Sequence, residues 1–372
     1  MPTPATSRGR LRTAVVGAGK IAHVHARALA RLPESEFVAV CSRPSARREE
    51  LAARFGVRAF DDVPSMIGAA GVEAILVCTP HPEHAPCAVP ALRAGVHALV
   101  EKPLAATVAD CGAMIAAAQA GGATLGTVSQ RRFYPPCQRI RRALDEGRLG
   151  KPALGTAVMF GWRDEAYYRS DAWRGKWAQE GGGVLVNQAP HQLDLLLWYM
   201  GEAEEVCGHW ANLNHPYIEV EDTAVASVRF RNGGLGSIVV SNSQNPAINA
   251  RVSVHGRNGA SVGVQTDGGA MFIAGRSAIL DAPFNDIWTI PGEAHLLGQW
   301  KEEDARVFGA EDPIERYHRL QVQDFLGAAI AGRPPAVTGE DGLRTVELFC
   351  ALYESSRTRA AVALPRRADG AP

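Results

Sequence analysis

The stretch that decides the fold lies near the N-terminus, where residues 11–22 read LRTAVVGAGKIA. A short β-branched run leads into Gly-x-Gly-x-x-Ala, and a helical pattern follows it. Gly17 allows a tight turn after the strand, and Gly19 lets the backbone approach a pyrophosphate group. The free N–H groups of the next helix, near Lys20 and Ile21, favour an anion at that point. The stretch therefore predicts a dinucleotide-binding turn between a strand and a helix.

Strands and helices alternate over the first 130 residues. The predicted strands are residues 13–16, 37–41, 59–60, 74–78, 97–100 and 124–128, and the predicted helices are 21–31, 46–55, 63–70, 85–94 and 108–120. This alternation is typical of a doubly wound parallel α/β sheet that binds ligands at the carboxyl ends of its strands. We therefore predict an NAD(P)-binding domain over residues 1–130.

A different pattern begins beyond residue 130, where a segment that contains Pro135 and Pro136 indicates a domain boundary. The predicted strands are residues 155–160, 206–212, 223–230, 236–241, 250–255 and 260–265, and the predicted helices are 138–145, 317–331 and 344–356. Residues 281–312 are predicted to be irregular, as a lid or an oligomer contact. Hairpin-linked strands form antiparallel sheets with one free face, which favours homo-oligomers. We predict a substrate-binding and oligomerisation domain over residues 131–372.

Composition excludes several classes of function. The 372 residues contain 39 Lys and Arg and 39 Asp and Glu, so no net field attracts nucleic acid or a membrane surface. Seven scattered cysteines, an odd number without Cys-x-x-Cys spacing, indicate reduced thiols rather than disulfides or a zinc site. Residues 1–10 are polar and lack the apolar core of a signal peptide. These features predict a cytoplasmic protein without a membrane span.

The end of the second predicted strand bears on the choice of cofactor. Ser42 and Arg43 stand there, and no carboxylate follows before Glu49. An acidic residue would bind the ribose 2′-hydroxyl of NAD, whereas serine and arginine suit the 2′-phosphate of NADP. The sequence favours NADP, although Arg43 stacked over adenine is compatible with either cofactor.

Histidines are frequent around the fourth strand, where residues 78–84 read CTPHPEH. His81 and His84 are three residues apart, but no third ligand at regular spacing accompanies them, so we predict no metal. His84 is predicted to pack at the start of the next helix, near the nicotinamide. His25 and His318 are both candidate cleft residues, and His25 is otherwise structural.

The fifth strand ends in Glu101-Lys102-Pro103, at the sheet edge where open α/β sheets carry their chemistry. Lys102 could direct its ammonium at a substrate oxygen, and burial near the nicotinamide would lower its pKa for proton transfer. The alternative is an ordinary Glu-Lys pair on the surface.

Three glycines open residues 181–194, which read GGGVLVNQAPHQLD. They predict a sharp turn before a helix, and Asn187 and His191 would share a face if the helix has begun there. The alternative is a helix cap and a core histidine. Upstream, Trp162, Tyr168 and Trp173 suit the apolar face of a sugar, with loop packing as the alternative.

Three motifs resemble, in this order, those of the Gfo/Idh/MocA family: the glycine motif at 17–22, Glu101-Lys102-Pro103 and residues 181–194. This family includes glucose–fructose oxidoreductase and inositol 2-dehydrogenase. The resemblance implies an N-terminal Rossmann domain and a C-terminal α/β domain with a large, mostly antiparallel open sheet. It also implies oxidation or reduction of a secondary alcohol of sugars or cyclitols with NAD(P), with Lys102 and His191 handling the proton. The residues predicted to bind the cofactor are Gly17, Gly19, Lys20, Ile21, Ser42, Arg43, Thr79, Pro80, His84, Glu101 and Lys102.

The chain departs from the family at position 187, where aspartate is commonest and this sequence has asparagine. Asparagine can hydrogen-bond a hydroxyl but cannot carry a proton. We therefore assign acid/base chemistry to His191, polarisation of the reacting oxygen to Lys102 and orientation to Asn187. The predicted substrate contacts are Trp162, Tyr168, Trp173, Asn187 and His191.

Two other functions fit the same motifs. One is a redox-neutral sugar-modifying enzyme, in which tightly bound NAD(H) oxidises the sugar transiently to allow elimination or deglycosylation. The other is a non-catalytic regulator that binds NAD(P)H, against which the presence of Lys102 and His191 argues. A homodimer or homotetramer through the C-terminal sheet is expected in either case.

Overall fold

The structure, a computed structural model, describes residues 9–43, 45–268 and 281–365. Residues 1–8 lie outside this part. The prediction that no signal peptide is present concerns residues 1–10 and therefore falls mostly outside the described residues. The strands are β1 Leu11–Val16, β2 Ser35–Cys41, β3 Arg58–Phe60, β4 Ala74–Val77, β5 His97–Val100, β6 Leu125–Thr127, β7 Pro152–Phe160, β8 Ala203–Ala211, β9 Thr223–Phe230, β10 Leu235–Ser241, β11 Asn249–Gly256, β12 Ser261–Gly268, β13 Phe284–Trp288 and β14 Val362–Ala363.

The helices follow the same order along the chain. They are α1 Lys20–Arg31, α2 Ser45–Phe55, α3 Val63–Ala70, α4 His84–Arg93, α5 Val108–Gly121, α6 Pro135–Asp145, α7 Glu165–Arg169, α8 Trp177–Glu180, α9 Val184–Asn187, α10 Pro190–Met200, α11 Leu296–Gly309, α12 Pro313–Ala331 and α13 Gly339–Thr358, with short 3-10 helices at His81–Glu83 and Gln130–Phe133. No helix among the described residues combines the length and the apolarity needed to cross a membrane. None of the seven cysteines, all of which the structure describes, forms a disulfide.

The chain divides into two compact units. Unit 1 comprises Met1–Gln130 with Pro313–Leu343, and unit 2 comprises Arg131–Asp312 with Arg344–Pro372. Residues 313–343, which the sequence analysis placed in the second domain, therefore cluster with the first. Two contacts explain this: the Gln321 side chain accepts the N–H of Ser129 at 2.9 Å, and Phe325 lies against Gly126.

Unit 1 contains the predicted doubly wound sheet. Its six strands are all parallel, in the order β3-β2-β1-β4-β5-β6. Strands β1, β4 and β5 consist almost entirely of buried apolar residues, as expected where helices cover both faces of a sheet. The direction of strand addition reverses between β1 and β4, and the residues after these two strands are therefore neighbours at the carboxyl edge.

Unit 2 is built on an eight-stranded sheet in the order β13-β12-β11-β7-β10-β9-β8-β14, in which only the β10–β7 pair is parallel among the described strands. Helix α10 packs on one face of this sheet: a Cβ on Gly155 would lie 2.6 Å from Met200 and 2.8 Å from Leu196. On the strands of the same sheet, Leu154, Val225 and Leu235 are exposed. The predicted fold class is confirmed.

The prediction that residues 281–312 are irregular is wrong. They contain strand β13, which pairs with β12, and helix α11. The helix packs through Phe308 against Tyr134 and through Asp304, which binds Arg139. These partners are more than a hundred residues away in sequence. The local pattern of residues 281–312 therefore did not predict the helix, because its stabilising contacts are distant.

Two other boundaries differ for local reasons. Pro135 and Pro136 begin helix α6 instead of interrupting the chain, because proline fits the first turn of a helix, where N–H groups have no partner. Helix α13 begins at Gly339, five residues before the predicted helix 344–356. Gly339 and Gly342 allow close packing there, since a Cβ on either would lie under 3 Å from Leu125 or Leu104.

Candidate active site

The turn after β1 has the geometry that the glycine motif predicts. Gly17 has φ +106°, and its N–H donates to the carbonyl of Cys41 at 2.7 Å. A Cβ on Gly17 would lie 2.7 Å from the carbonyl oxygen of Cys78, so only glycine fits without rearrangement. Gly19 is the N-cap of α1, and the space where its Cβ would stand is open. This open space at a helix N-terminus fits the approach of a pyrophosphate group.

The first residues of α1 differ in exposure. Lys20 is exposed at the helix start, whereas Ile21 is half-buried and packs against the apolar core of unit 1. Ala22, at the third position of the motif, is fully buried. Its small side chain allows the helix to lie close to the sheet.

The loop after β2 is held by backbone contacts. The N–H of Ser42 donates to the Phe60 carbonyl at 3.0 Å, and its own carbonyl accepts from the Arg48 guanidinium at 2.9 Å. The Arg43 side chain is 73% exposed, and its guanidinium lies 3.0 Å from the carboxylate of Glu83. A 2′-phosphate bound at Arg43 would compete with the carboxylate of Glu83. The Arg43–Glu83 ion pair is exposed, so its interaction energy is small.

His84 connects two loops at the carboxyl edge of the parallel sheet. Its ring is fully buried, with Nε2 2.9 Å from the Thr79 carbonyl and Nδ1 3.0 Å from the Pro103 carbonyl. Burial lowers the pKa of His84, although the carbonyl contacts oppose this. The ring therefore positions the loop that carries Thr79 and Pro80 relative to the segment after Lys102, and a direct cofactor contact by His84 does not fit its burial.

Glu101 is the centre of a buried polar cluster behind Lys102. Its Oε1 lies 2.8 Å from Nε2 of His25, and its Oε2 accepts the backbone N–H of Lys102 at 3.1 Å. His318, from α12, packs its ring edge-on to that of His25, with centroids 5.4 Å apart. Its Nδ1 lies 2.8 Å from the carbonyl of Ile314. Lys102 itself is half-buried.

Charge, rather than burial, sets the ionisation of Glu101. Burial alone would raise the pKa of this carboxyl, but the hydrogen bond and charge of His25, with the charges of His318 and Lys102, hold the pKa at about 2. Burial lowers the pKa of His318 to about 4, and the neighbouring His25 adds to this effect. The cluster thus keeps an ionised carboxylate beside the backbone of Lys102.

The same three side chains offer donor atoms to a metal ion. One ligand atom each from His25, Glu101 and His318 lies within 4.8 Å of the other two. Sequence analysis named each residue but not their association, because 76 positions separate His25 from Glu101. A zinc ion would need all three atoms at about 2.0–2.2 Å, whereas His25 and Glu101 are already joined by a hydrogen bond.

The glycine turn of unit 2 is enclosed by backbone. Gly181 and Gly182 have φ +86° and +153°, and a Cβ on Gly183 would lie 1.8 Å from the carbonyl oxygen of Glu221. The Glu221 carboxylate accepts the N–H groups of Gly183 and Leu185, each at 2.9 Å, and the hydroxyl of Tyr353 at 2.8 Å. Burial raises the pKa of Glu221 to about 7, against the effect of these hydrogen bonds.

Asn187 and His191 do not lie on one continuous helix. Helix α9 ends at Asn187, and α10 starts at Pro190. The break has a local cause: the N–H of Ala189 returns to the Val184 carbonyl at 2.8 Å, and Pro190 takes the first position of the next helix. Both Asn187 and His191 remain half-buried. The buried Asp194, one turn further along α10, forms a bidentate ion pair with Arg132 at 2.6 and 2.8 Å.

The three aromatic candidates differ in accessibility. Tyr168 is buried, with its ring 5.2 Å from that of Tyr167 and 5.5 Å from that of His215, so it packs within the unit. Trp162 is half-buried against His215, and Trp173 is half-buried under the guanidinium of Arg174 at 4.4 Å. Trp162 and Trp173 stay candidates for substrate contact, whereas the packing alternative fits Tyr168.

Sequence reasoning missed the groups that hold this region. The buried His215 lies 2.7 Å from both the Asp222 carboxylate and the Arg163 carbonyl, which fixes the loop after Trp162. Glu180 is buried directly before the glycines and contacts Asn187. Its place beside the glycine turn was the one signal that could have identified it.

Comparisons with known proteins agree with these motifs. Residues 11–128 match the model of the oxidoreductase family with an NAD-binding Rossmann fold, and residues 137–262 match that of the GFO/IDH/MocA C-terminal domain. The myo-inositol 2-dehydrogenase of Thermotoga maritima is 27% identical over 95% of this chain and 98% of its own length. The 1,5-anhydro-D-fructose reductase of Ensifer adhaerens is 27% identical over 93% and 96%.

A solved structure is also similar. The WlbA dehydrogenase of Bordetella pertussis, in complex with NADH and UDP-GlcNAcA, has a TM-score of 0.85 and 29% identity. The similarity covers 98% of this chain and 100% of that one.

Proposed function

Because the chain belongs to the Gfo/Idh/MocA family of NAD-binding oxidoreductases, we propose that it transfers hydride between a nicotinamide cofactor and a secondary alcohol or ketone. The proposed substrate is a sugar, a sugar derivative or a cyclitol. The observation that carries the proposal is Lys102, placed after β5 with its backbone N–H on the ionised Glu101. A protein that only binds a nucleotide needs neither this lysine nor the His191 segment. The named relatives act on inositol or anhydrofructose, which supports the substrate class.

The proposed roles follow from the chemistry of the side chains. A bound nicotinamide supplies hydride transfer at its C4 carbon. His191 removes the hydroxyl proton in oxidation and returns it in reduction, since an imidazole changes its protonation state near neutral pH. Lys102 stabilises the negative charge that develops on the reacting oxygen. Asn187 orients the substrate through its amide.

The proposed cofactor is NAD(P), held at Gly17 and Gly19 on the N-terminus of α1. The residues after β2 support NADP, because they include Ser42 and Arg43 and no carboxylate. Glu83 opposes that preference, since its carboxylate already lies beside Arg43. On balance we propose NADP, with Arg43 as the residue that determines cofactor specificity. Binding measurements with NADP and NAD decide between the two cofactors.

A homodimer or homotetramer through the eight-stranded sheet is proposed as the assembly. Leu154, Val225 and Leu235 are exposed on its strands, and exposed apolar patches on sheets mark interaction surfaces. Val225→Lys with Leu235→Lys should lower the mass measured by light scattering to that of a monomer. Leu213→Lys, at an exposed leucine outside the strands, is the matched control. An unchanged mass in the double variant would place the assembly elsewhere.

The function is tested by mixing the purified protein with sugars and polyols, with NAD and NADP supplied separately. Growth of the NAD(P)H absorbance band with one cofactor and one substrate class is the expected result. Absence of turnover, together with NAD(H) that co-purifies with the protein, would instead favour the redox-neutral sugar-modifying enzyme. Absence of turnover with reversible NAD(P)H binding would favour the regulator.

A further inference from the structure

A buried carboxylate lies against Asn187. Glu180 is the last residue of α8 and is 1% exposed. One of its carboxylate oxygens accepts the side-chain amide of Asn187, the residue at which this chain lacks the family's commonest aspartate. The other oxygen accepts the N–H of Gly175 at 2.6 Å. The two residues lie on opposite sides of the glycine turn, which brings the end of α8 next to the end of α9.

This contact fixes the orientation of the asparagine. The structure directs the Nδ2 of Asn187, and not its Oδ1, at the Glu180 carboxylate, whose oxygens accept this amide and the N–H of Gly175. Nδ2 also lies 3.2 Å from the hydroxyl of Tyr167. Both hydrogens of the amide nitrogen are thereby engaged, and Oδ1 is directed away from Glu180 and Tyr167.

Tyr167 is held in turn by several donors. Its hydroxyl oxygen lies 2.6 Å from Nη1 of Arg174 and 3.0 Å from Nε2 of Gln188. The guanidinium groups of Arg174 and Arg163 stand over its ring, at 4.4 and 5.1 Å from the centroid. Each partner of the Asn187 amide is thus fixed by further contacts, as preorganised sites require.

We propose that Glu180 is a positioning residue of the active site, which fixes the Asn187 amide so that its Oδ1 accepts a hydrogen bond from a substrate hydroxyl. This inference rests on the proposed function. The site thus contains a carboxylate, but this carboxylate belongs to Glu180, which bonds Asn187 and acts on the substrate only through it. Asn187 then acts on the substrate only as an acceptor.

The arrangement has a consequence for the substrate. An acceptor held in one orientation requires a donor on the ligand, so the substrate must carry a hydroxyl at the position that meets Asn187. A site built for such a hydrogen bond rejects the analogue that lacks the hydroxyl much more strongly than a purely apolar site does. Polyhydroxylated substrates such as sugars and cyclitols therefore fit, and the deoxy analogue that lacks the hydroxyl bound by Asn187 does not.

The test exchanges the two side chains. Glu180→Gln should lower kcat/KM for the substrate by about tenfold to a hundredfold, since small misplacements of catalytic groups have effects of this size. Asn187→Asp alone places two carboxylates in contact, so they must share a proton, and its activity should fall further as pH rises. The double variant restores one amide and one carboxylate and should regain activity to within about tenfold of the parent. Glu165→Gln, at a partly exposed glutamate of the neighbouring α7, is the matched control.

The readouts separate positioning from folding. Circular dichroism and NADH binding should be unchanged in all four variants, and the KM for the cofactor should not rise with that for the substrate. If the parent protein turns over substrate and Glu180→Gln does so equally well, the inference about Glu180 is wrong and the proposed function stands. A double variant worse than either single variant also overturns it. A parent that turns over no substrate overturns the proposed function and this inference with it.

Discussion

Glu101 in unit 1 and Glu221 in unit 2 are both buried, yet their carboxyl groups have opposite pKa shifts. Burial raises the pKa of each, but His25 at 2.8 Å and further positive groups reverse the effect at Glu101 and hold its pKa at about 2. Glu221 receives only neutral donors, two backbone N–H groups and the Tyr353 hydroxyl, and its pKa stays at about 7. Three hydrogen bonds from neutral groups therefore do not offset burial at Glu221, whereas His25, His318 and Lys102 together do so at Glu101.

The difference extends to what each unit does in the proposed reaction. Unit 1 holds permanent charge: an ionised Glu101 beside Lys102, and a helix N-terminus suited to an anion. Unit 2 holds Glu221, whose pKa is about 7, and His191, the proposed acid–base group, after the glycine turn that Glu221 contacts. Substitutions in one unit should therefore affect cofactor binding or fixed charge, and those in the other should affect proton transfer.

The largest expected effect is that of His191→Ala. Turnover should fall by about a hundredfold to ten-thousandfold, the usual contribution of a general acid–base group. Cofactor affinity, measured by NADH fluorescence titration, should be unchanged because the nucleotide motif lies in unit 1. His209→Ala, at an exposed histidine of β8, is the control. A loss of cofactor affinity in His191→Ala would mean a structural role and would break the division between the units.

The next effect tests the charge compensation at Glu101. His25→Leu removes the imidazole that bonds Glu101 and should destabilise the protein by about 3–5 kcal/mol, since it removes one partner of a buried pair. His25→Leu with Glu101→Gln should recover most of that loss. The free energy of unfolding is measured by urea denaturation, with His23→Leu on the same helix as control.

The pH dependence of this effect has a definite sign. The pKa of Glu101 is about 2 in the folded protein and 4.5 in the unfolded chain, so its stabilisation is present above pH 4.5 and is lost as pH falls towards 2. His25→Leu should weaken this acid-dependent loss, and the charges of His318 and Lys102 should preserve part of it. A variant as stable as the parent, with the same acid profile, would show that His25 does not compensate Glu101. Addition of zinc or removal of metal by a chelator should change neither protein, if the cluster acts without an ion.

The two units also differ in how much of them the sequence predicts. In unit 1 the turn at Gly17 is set by backbone geometry over adjacent residues, and the alternation of strands and helices is local, so the fold and the glycine motif were predicted closely. In unit 2 the glycine turn was visible, but Glu221, Tyr167 and Tyr353 reach it from distant positions. No local pattern announces such partners.

The same reason explains the errors. Helix α11 escaped prediction because Asp304 and Phe308 bind residues of a distant segment. The association of His25, Glu101 and His318 depends on α12 joining unit 1, which the domain prediction had placed elsewhere. The sequence shows at position 187 an asparagine, which cannot carry a proton, but it could not show that Glu180 contacts this residue.

A smaller effect tests the other carboxylate. The folded-state pKa of Glu221, about 7, lies above its value of 4.5 in the unfolded chain, so the folded protein binds more protons between these pH values. Its contribution to stability is therefore lost as pH rises from 4.5 to 7, by about 3 kcal/mol at 1.4 kcal/mol per unit. Glu221→Gln should remove this slope, as seen in denaturant titrations at several pH values. The exposed Glu302→Gln is the control, and an unchanged slope in Glu221→Gln would show that Glu221 is ionised throughout.

The smallest effect expected concerns Arg43, because its side chain is exposed and already paired with Glu83. Arg43→Ala should weaken NADP binding by about tenfold, since exposed charge pairs contribute little, and should leave NAD binding unchanged. Glu83→Gln should have the opposite effect, because it frees Arg43 for the 2′-phosphate. Fluorescence titration with each reduced cofactor measures both. If Arg43→Ala weakens the binding of NADP and NAD equally, the guanidinium stacks on adenine. The charge that unit 1 offers to the cofactor would then come from the N-terminus of α1 and from Lys102.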